Sequence, residues 1–168
     1  EGRRAKKKLE EARTDIARLL EVQSDDVIFT SGATESNALA ILGILKKGDH
    51  ALYLPSAHAS IVENMQLMSE RGVEIGALPT KDGRVDCGKL KGLLRSQTTL
   101  VAMDAVCGET GVVWNTRAVA EQLRASRGSG EGRVILHIDA SQAPLTEKLT
   151  RAHFGADTLA FDASKVCD

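Results

Sequence analysis

The sequence predicts an α/β fold, a three-layer α/β/α sandwich about a mainly parallel sheet, and three observations predict it. Short β-prone runs alternate with longer amphipathic stretches, the pattern of a sheet with helices on both faces. Residues 98–103 are almost continuously apolar, as in a strand buried on both sides. Residues able to do chemistry recur just past the carboxyl ends of the predicted strands, where an open α/β sheet binds ligands.

Taken in order, Ala5, Leu9, Ala12, Ile16 and Leu19 form one stripe of a helix whose basic run, 3–8, is its solvated face. Ser24-Asp25-Asp26 is a turn, and 27–30 a first strand. A glycine turn then starts a helix to about Leu45, which Lys46-Lys47-Gly48 stops. Residues 51–54 make a second strand, interrupted by Pro55, and Ser56-Ala57-His58 opens a helix to about Glu70. A third strand at 73–78 leads to a polar Asp82-Gly83 turn, and Asp86 caps a helix reaching about Arg95.

The fourth strand, 98–103, ends in a loop at 105–113, followed by a helix at 116–125. The glycine-rich stretch 126–132 is a surface connection, since ordering three glycines is entropically expensive. A fifth strand at 134–138, a short helix at 145–152 and a sixth strand at 158–161 follow. The last strand delivers Asp162-Ala-Ser-Lys165. No repeat or linker divides the chain.

At 168 residues the chain makes one domain with a sizeable core, and a net charge of -1 gives no reason to expect nucleic acid as partner. Aromatic residues are only 3% of the chain, too few for base-stacking surfaces. No apolar run is long enough to span a bilayer, so no membrane partner is expected. Cys87, Cys107 and Cys167 are too widely spaced for a metal clip and odd in number for a disulfide framework. The expectation is a reducing, cytoplasmic setting and no metal site.

The stretch that organises the chain is Phe29-Thr-Ser-Gly-Ala-Thr-Glu-Ser-Asn37. Its strand, glycine turn and helix order is that of an anion cradle, because the N–H groups of a helix's first turn lack intrahelical partners, and equally that of an ordinary capped helix start. There is no GxGxxG after the first strand and no Walker motif. The cradle, an acid after a strand at Asp139, a histidine at His58 and a lysine after a strand at Lys165 suit pyridoxal phosphate better than a dinucleotide. That cofactor needs an anion site, an amine to bond to, and an acid opposite its ring nitrogen.

These motifs, with the His58 helix start, Gly108-Glu-Thr-Gly111, His137-Ile-Asp-Ala-Ser-Gln142 and Lys165, resemble the cysteine desulfurase family. Its members are class V aminotransferase-like pyridoxal 5'-phosphate enzymes of fold type I. The resemblance runs over essentially the whole chain in order. It implies that Lys165 holds the cofactor covalently and transfers protons, that Asp139 pairs with the ring nitrogen, and that Gln142 lies near the ring's phenolate oxygen. It further implies that His58 stacks on the ring and assists proton movement, and that Ala33, Thr34 and Ser164 contact the phosphate. His137 would be a supporting residue beside the phosphate site.

The sequence departs from that pattern at Cys107-Gly108, where the family usually has two asparagines before Glu-x-Gly. Cys107 and Cys167 read as small buried thiols, since the family's sulfur-accepting cysteine lies well beyond the lysine. Residues 1–168 resemble a partial cofactor-binding large domain, without the small carboxyl-terminal domain, the substrate-binding arginine or that cysteine. The resemblance implies removal of sulfur from L-cysteine by the parent enzyme, as a homodimer with a sulfur-acceptor protein, and little turnover by these residues alone. A selenocysteine lyase, another class V enzyme acting on a small amino acid, and a non-catalytic module keeping the fold remain as alternatives.

Overall fold

The computed structural model describes residues 2–126, 132–144 and 146–165. Its helices are α1 (Gly2–Leu20), α2 (Ala33–Ile44), α3 (Ala59–Glu70), α4 (Cys87–Leu93), α5 (Thr116–Ala125) and α6 (Arg151–Phe154). Its strands are β1 (His50–Tyr53), β2 (Glu74–Ala77), β3 (Thr80–Lys81), β4 (Arg84–Val85), β5 (Thr98–Asp104), β6 (Ile135–Asp139) and β7 (Thr158–Ala160). Five of these form one sheet in the order β2-β1-β5-β6-β7, with every neighbouring pair parallel. The short β3 and β4 pair antiparallel around the Asp82-Gly83 turn as a separate hairpin.

The connections explain the layers. From β1 the chain steps outward to β2 through α3, then returns past β1 to β5 and continues to β6 and β7. Right-handed crossovers taken in opposite directions put their helices on opposite faces. Accordingly Leu100 and Ala102 of β5 pack with Ile41 of α2 and Ile61 and Met65 of α3. Their neighbours Val101 and Met103, with Leu136 and Ile138 of β6, pack with Leu90, Val119, Leu123 and Phe154 on the other side. The order reverses between β1 and β5, and the crevice at the carboxyl end of such a point is where this architecture binds ligands.

Helix ends follow the sequence signals. The Asp86 side chain accepts from the Lys89 N–H at 3.1 Å, and α5 buries Thr116, Val119, Ala120 and Leu123 at one helical spacing. Gly155 closes α6 with φ +70°, and a Cβ there would lie 2.5 Å from the Ala120 Cβ. Gly155→Ala is therefore expected to destabilise the protein by about 2 kcal/mol in urea unfolding, from left-handed strain plus overpacking.

Two expected elements differ. Residues 27–30 are not a strand: Val27 is extended, but no neighbouring strand among the described residues completes a ladder, and Ile28 is 76% exposed. Arg13 of α1 holds this segment instead, donating to the Val27 carbonyl and lying 4.8 Å over the Phe29 ring. The helix expected at 145–152 begins only at Arg151, because Thr150 caps it by accepting from the His153 N–H at 3.2 Å. Leu145 and most of the glycine-rich connection at 126–132 lie outside the described residues.

Candidate active site

The carboxyl edge of the sheet is organised by α2. Its N-cap, Gly32, has φ +146°, a conformation that glycine alone takes without strain. The first i to i−4 bond runs from the Ser36 N–H to the Gly32 carbonyl, so the N–H groups of Ala33, Thr34 and Glu35 have no acceptor within the helix. Ala33 is buried and Thr34 exposed. Ser31 donates both its N–H (2.6 Å) and its hydroxyl (2.8 Å) to Glu35, and these bonds hold the Glu35 carboxyl below the ordinary range.

The turn after β7 lies against this helix start. A Cβ on Gly32 would stand 3.9 Å from Asp162 Oδ2. Asp162 Oδ1 accepts from the Ser164 N–H at 3.0 Å and the Ser164 hydroxyl at 2.7 Å. Those bonds, and secondarily the Lys165 ammonium, hold the Asp162 carboxyl below its ordinary range. Ser164 is thus directed at Asp162. Lys165 is exposed, in a 3-10 turn, Ala163–Lys165, just past β7.

Beneath this edge is a buried polar network centred on Asn37, a residue the motif reading left without a role. On α2 it shares one inner face with Ala33 and Ile41. Asn37 Nδ2 donates to Asp139 Oδ2 (2.7 Å) and Ser60 Oγ (2.8 Å), while its Oδ1 lies 2.9 Å from His137 Nε2. Since a carboxylate only accepts, the amide orientation follows, and His137 must carry its proton on Nε2. His137 Nδ1 then accepts from the Thr158 hydroxyl at 2.8 Å. Burial pushes His137 down to about 4, so it is neutral, and both its ring nitrogens are engaged within the protein.

Asp139 is fixed from two sides. Its Oδ1 accepts from the Ser141 N–H (2.9 Å) and hydroxyl (2.6 Å), and its Oδ2 from Asn37. The network continues outward from Asn37 to Ser60, whose hydroxyl lies 2.8 Å from His58 Nδ1. The Ser60 N–H also donates to that nitrogen at 3.2 Å, so Nδ1 is an acceptor and Nε2 bears the proton. His58 itself is exposed at the N-terminus of α3.

The structure therefore sets Asp162, with Ser164 bonded to it, against the Gly32 end of α2, with Lys165 following in the same turn, and ties His58, His137 and Asp139 through Asn37 to the next turn of the helix. Gly32 and Asn37 are about 7.5 Å apart along the helix axis, five residues at 1.5 Å each. Gln142 is exposed, and a Cβ on Gly108 would lie 3.2 Å from its Nε2, so the Gly108 position leaves room for the Gln142 amide. Cys107 is buried, its Sγ 4.0 Å from the Ser56 carbonyl, and burial pushes the Cys87 thiol up. Sequence reasoning missed Asn37, Ser60, Ser141 and Asp104. A polar residue on the apolar stripe of α2 was the available signal for Asn37. His50 and His153 are structural, bonded to Thr98 and Glu147.

Among the described residues no cluster of His, Cys, Asp or Glu could hold a metal ion. Nor is any helix there long and apolar enough to cross a membrane. A pyridoxal phosphate ring fits the Asp139 end, where a buried carboxylate is held in place at the ligand edge. At the anion end the free N–H groups of α2 and Thr34 suit a phosphate, although Asp162 and Glu35 already engage the two serines.

Comparison with known proteins agrees with this geometry. The aminotransferase class-V family matches residues 1–167. The chain is 32% identical over 169 residues to the cysteine desulfurase IscS of Vibrio cholerae, covering 98% of this chain and 40% of that protein. It is 35% identical over 147 residues to the IscS of Neisseria gonorrhoeae, covering 84% and 35%. The solved structure of DndA from Streptomyces lividans superposes with a TM-score of 0.81 at 29% identity, covering 98% of this chain and 46% of that one. The chain thus spans about two fifths of the length of the curated relatives it matches. With a family match along nearly its whole length, this chain belongs to the aminotransferase class-V family.

Proposed function

We propose that these residues form the cofactor-binding part of an enzyme that uses pyridoxal 5'-phosphate to remove sulfur from L-cysteine, giving L-alanine and an enzyme persulfide. The observation that carries the reading is the buried Asp139 carboxylate, fixed by Asn37 and Ser141 at the ligand edge, one helical stretch from the cradle at the start of α2. The names of the IscS relatives support the substrate. When bound, the cofactor supplies an electron sink for the charge left when the substrate Cα loses its proton.

The family resemblance supports the following roles for the chain's own residues. Asp139 would hold the cofactor's ring nitrogen in its protonated form, and Asn37 and Ser141 keep Asp139 from turning away. His58 presents a ring whose outer nitrogen, Nε2, bears the proton, suited to covering the cofactor. The exposed Lys165 amine would hold the cofactor and serve as the base for the substrate's Cα proton. Ala33 and Thr34 donate to the phosphate, with Gln142 beside the ring oxygen. The parent enzyme works as a cytoplasmic homodimer that passes sulfur to an acceptor protein, and the residues shown here do not sustain turnover alone. The test is an absorbance titration with pyridoxal phosphate: a new visible band in the wild type that is missing in Lys165→Ala supports the reading, and no band in either sinks it.

One observation favours a second reading, a fold kept without the cofactor. The Asp162 carboxylate faces the start of α2, where a phosphate would sit. A like-charge pair at about 4 Å in a watery site costs about 1 kcal/mol. Asp162→Asn is therefore expected to tighten pyridoxal phosphate binding about fivefold in the same titration. Equal affinities would show that this carboxylate does not oppose the phosphate.

A further inference from the structure

Asp104 ends β5 directly opposite Asp139 in the register of the parallel β5 and β6 pair. Residues in register point to the same face, and the strands are about 4.8 Å apart, so both carboxyl groups rise side by side beneath α2 and α3. Both are 5% exposed. They differ in their partners. Asp139 accepts on both oxygens, whereas Asp104 Oδ1 has no hydrogen-bond partner among the described residues. A buried orphan oxygen of this kind is disfavoured unless the carboxyl is protonated or a ligand completes it.

We infer that Asp104 is a second acid of the site, holding in mildly acid solution the one proton of an Asp104–Asp139 pair until a cationic ring nitrogen binds against Asp139. The inference rests on the cofactor reading above and goes beyond it by naming a residue that titrates with ligand binding. Burial, with a smaller contribution from the Asp139 charge, pushes Asp104 up to about 6. A cation placed beside the pair favours the ionised form, so Asp104 then gives up its proton to solvent. The neighbouring ionisable groups are consistent with this division. On β6 His137 is neutral, at the start of α3 His58 is turned outward on Ser60, α2 presents the uncharged Asn37, and β1 ends in Tyr53.

Two measurements on the full chain test it. The first needs no ligand: carboxyl carbon NMR titration of Asp104 in the wild type and in Asp139→Asn. The midpoint is expected near 6 in the wild type and lower in the variant, and a midpoint unmoved by Asp139→Asn overturns the pair. The second compares pyridoxal phosphate affinity of the wild type and Asp104→Asn across pH, since their ratio removes the titrations common to both. The wild type is expected to bind about tenfold more tightly at pH 8, where Asp104 is already ionised, and within about twofold at pH 5, where binding must first expel its proton. A flat ratio overturns the inference. If neither protein binds the cofactor, the cofactor reading fails and Asp104's role toward a ring nitrogen fails with it, while the NMR result still decides whether the acid pair exists.

Discussion

Replacing Asn37 with leucine is expected to lower the unfolding free energy by about 4 kcal/mol, the largest effect of any single change at this site. The residue is fully buried and bonds three buried partners at once: the Asp139 carboxylate, the Ser60 hydroxyl and the His137 Nε2–H. Leucine fills much the same volume, so the loss would not be one of packing. Each buried polar group left without a partner costs about 1–3 kcal/mol, and Asp139 keeps its bonds from Ser141. Urea unfolding near pH 7 measures the difference. A loss below about 1 kcal/mol would mean that water reaches these groups and the network is not closed.

Removing the charge at Asp104 is expected to do the opposite. Its carboxyl is raised in the folded protein from an ordinary 3.8 to about 6. For an acid raised on folding, the favourable contribution is fully present below the unfolded value and is lost as pH rises through the folded one. The difference corresponds to about 3 kcal/mol, so the ligand-free protein carries this burden above pH 7 and not at pH 4. Asp104→Asn should therefore match the wild type near pH 4 and exceed it by up to about 3 kcal/mol at pH 7.5. Comparing the two proteins at each pH removes the opposite trends of Glu35 and Asp162, whose carboxyls are lowered in the fold. A wild type as stable as the variant at both pH values would show that Asp104 reaches solvent when it ionises.

The five sheet strands were legible in the sequence because each is a short apolar run with turn chemistry on either side, and burial on both faces leaves little else for 98–103 to be. The segment 27–30 reads the same way locally, yet strand character depends on a neighbour, which no local pattern reveals. The site divides similarly. Asp139 and Lys165 stand out because each follows an apolar run directly, and His58 because it opens a helix after a strand. Asn37 does not, since its importance arises from Asp139 and His137, about a hundred positions away in the chain. Asp104 was hidden in another way: it closes the most apolar strand and looks like an ordinary strand end until its register with Asp139 is known. Ser164 and Ser31 carry the right chemistry, but nearby carboxylates, Asp162 and Glu35, already engage their hydroxyls.

The most direct measurement is to incubate the protein with pyridoxal phosphate, reduce with borohydride, and map the modified peptide by mass spectrometry. A reduced adduct at Lys165 in the wild type, much diminished in Asp139→Ala, is the predicted result. An adduct spread over surface lysines and indifferent to Asp139 would show that the acid and the amine do not serve one ring.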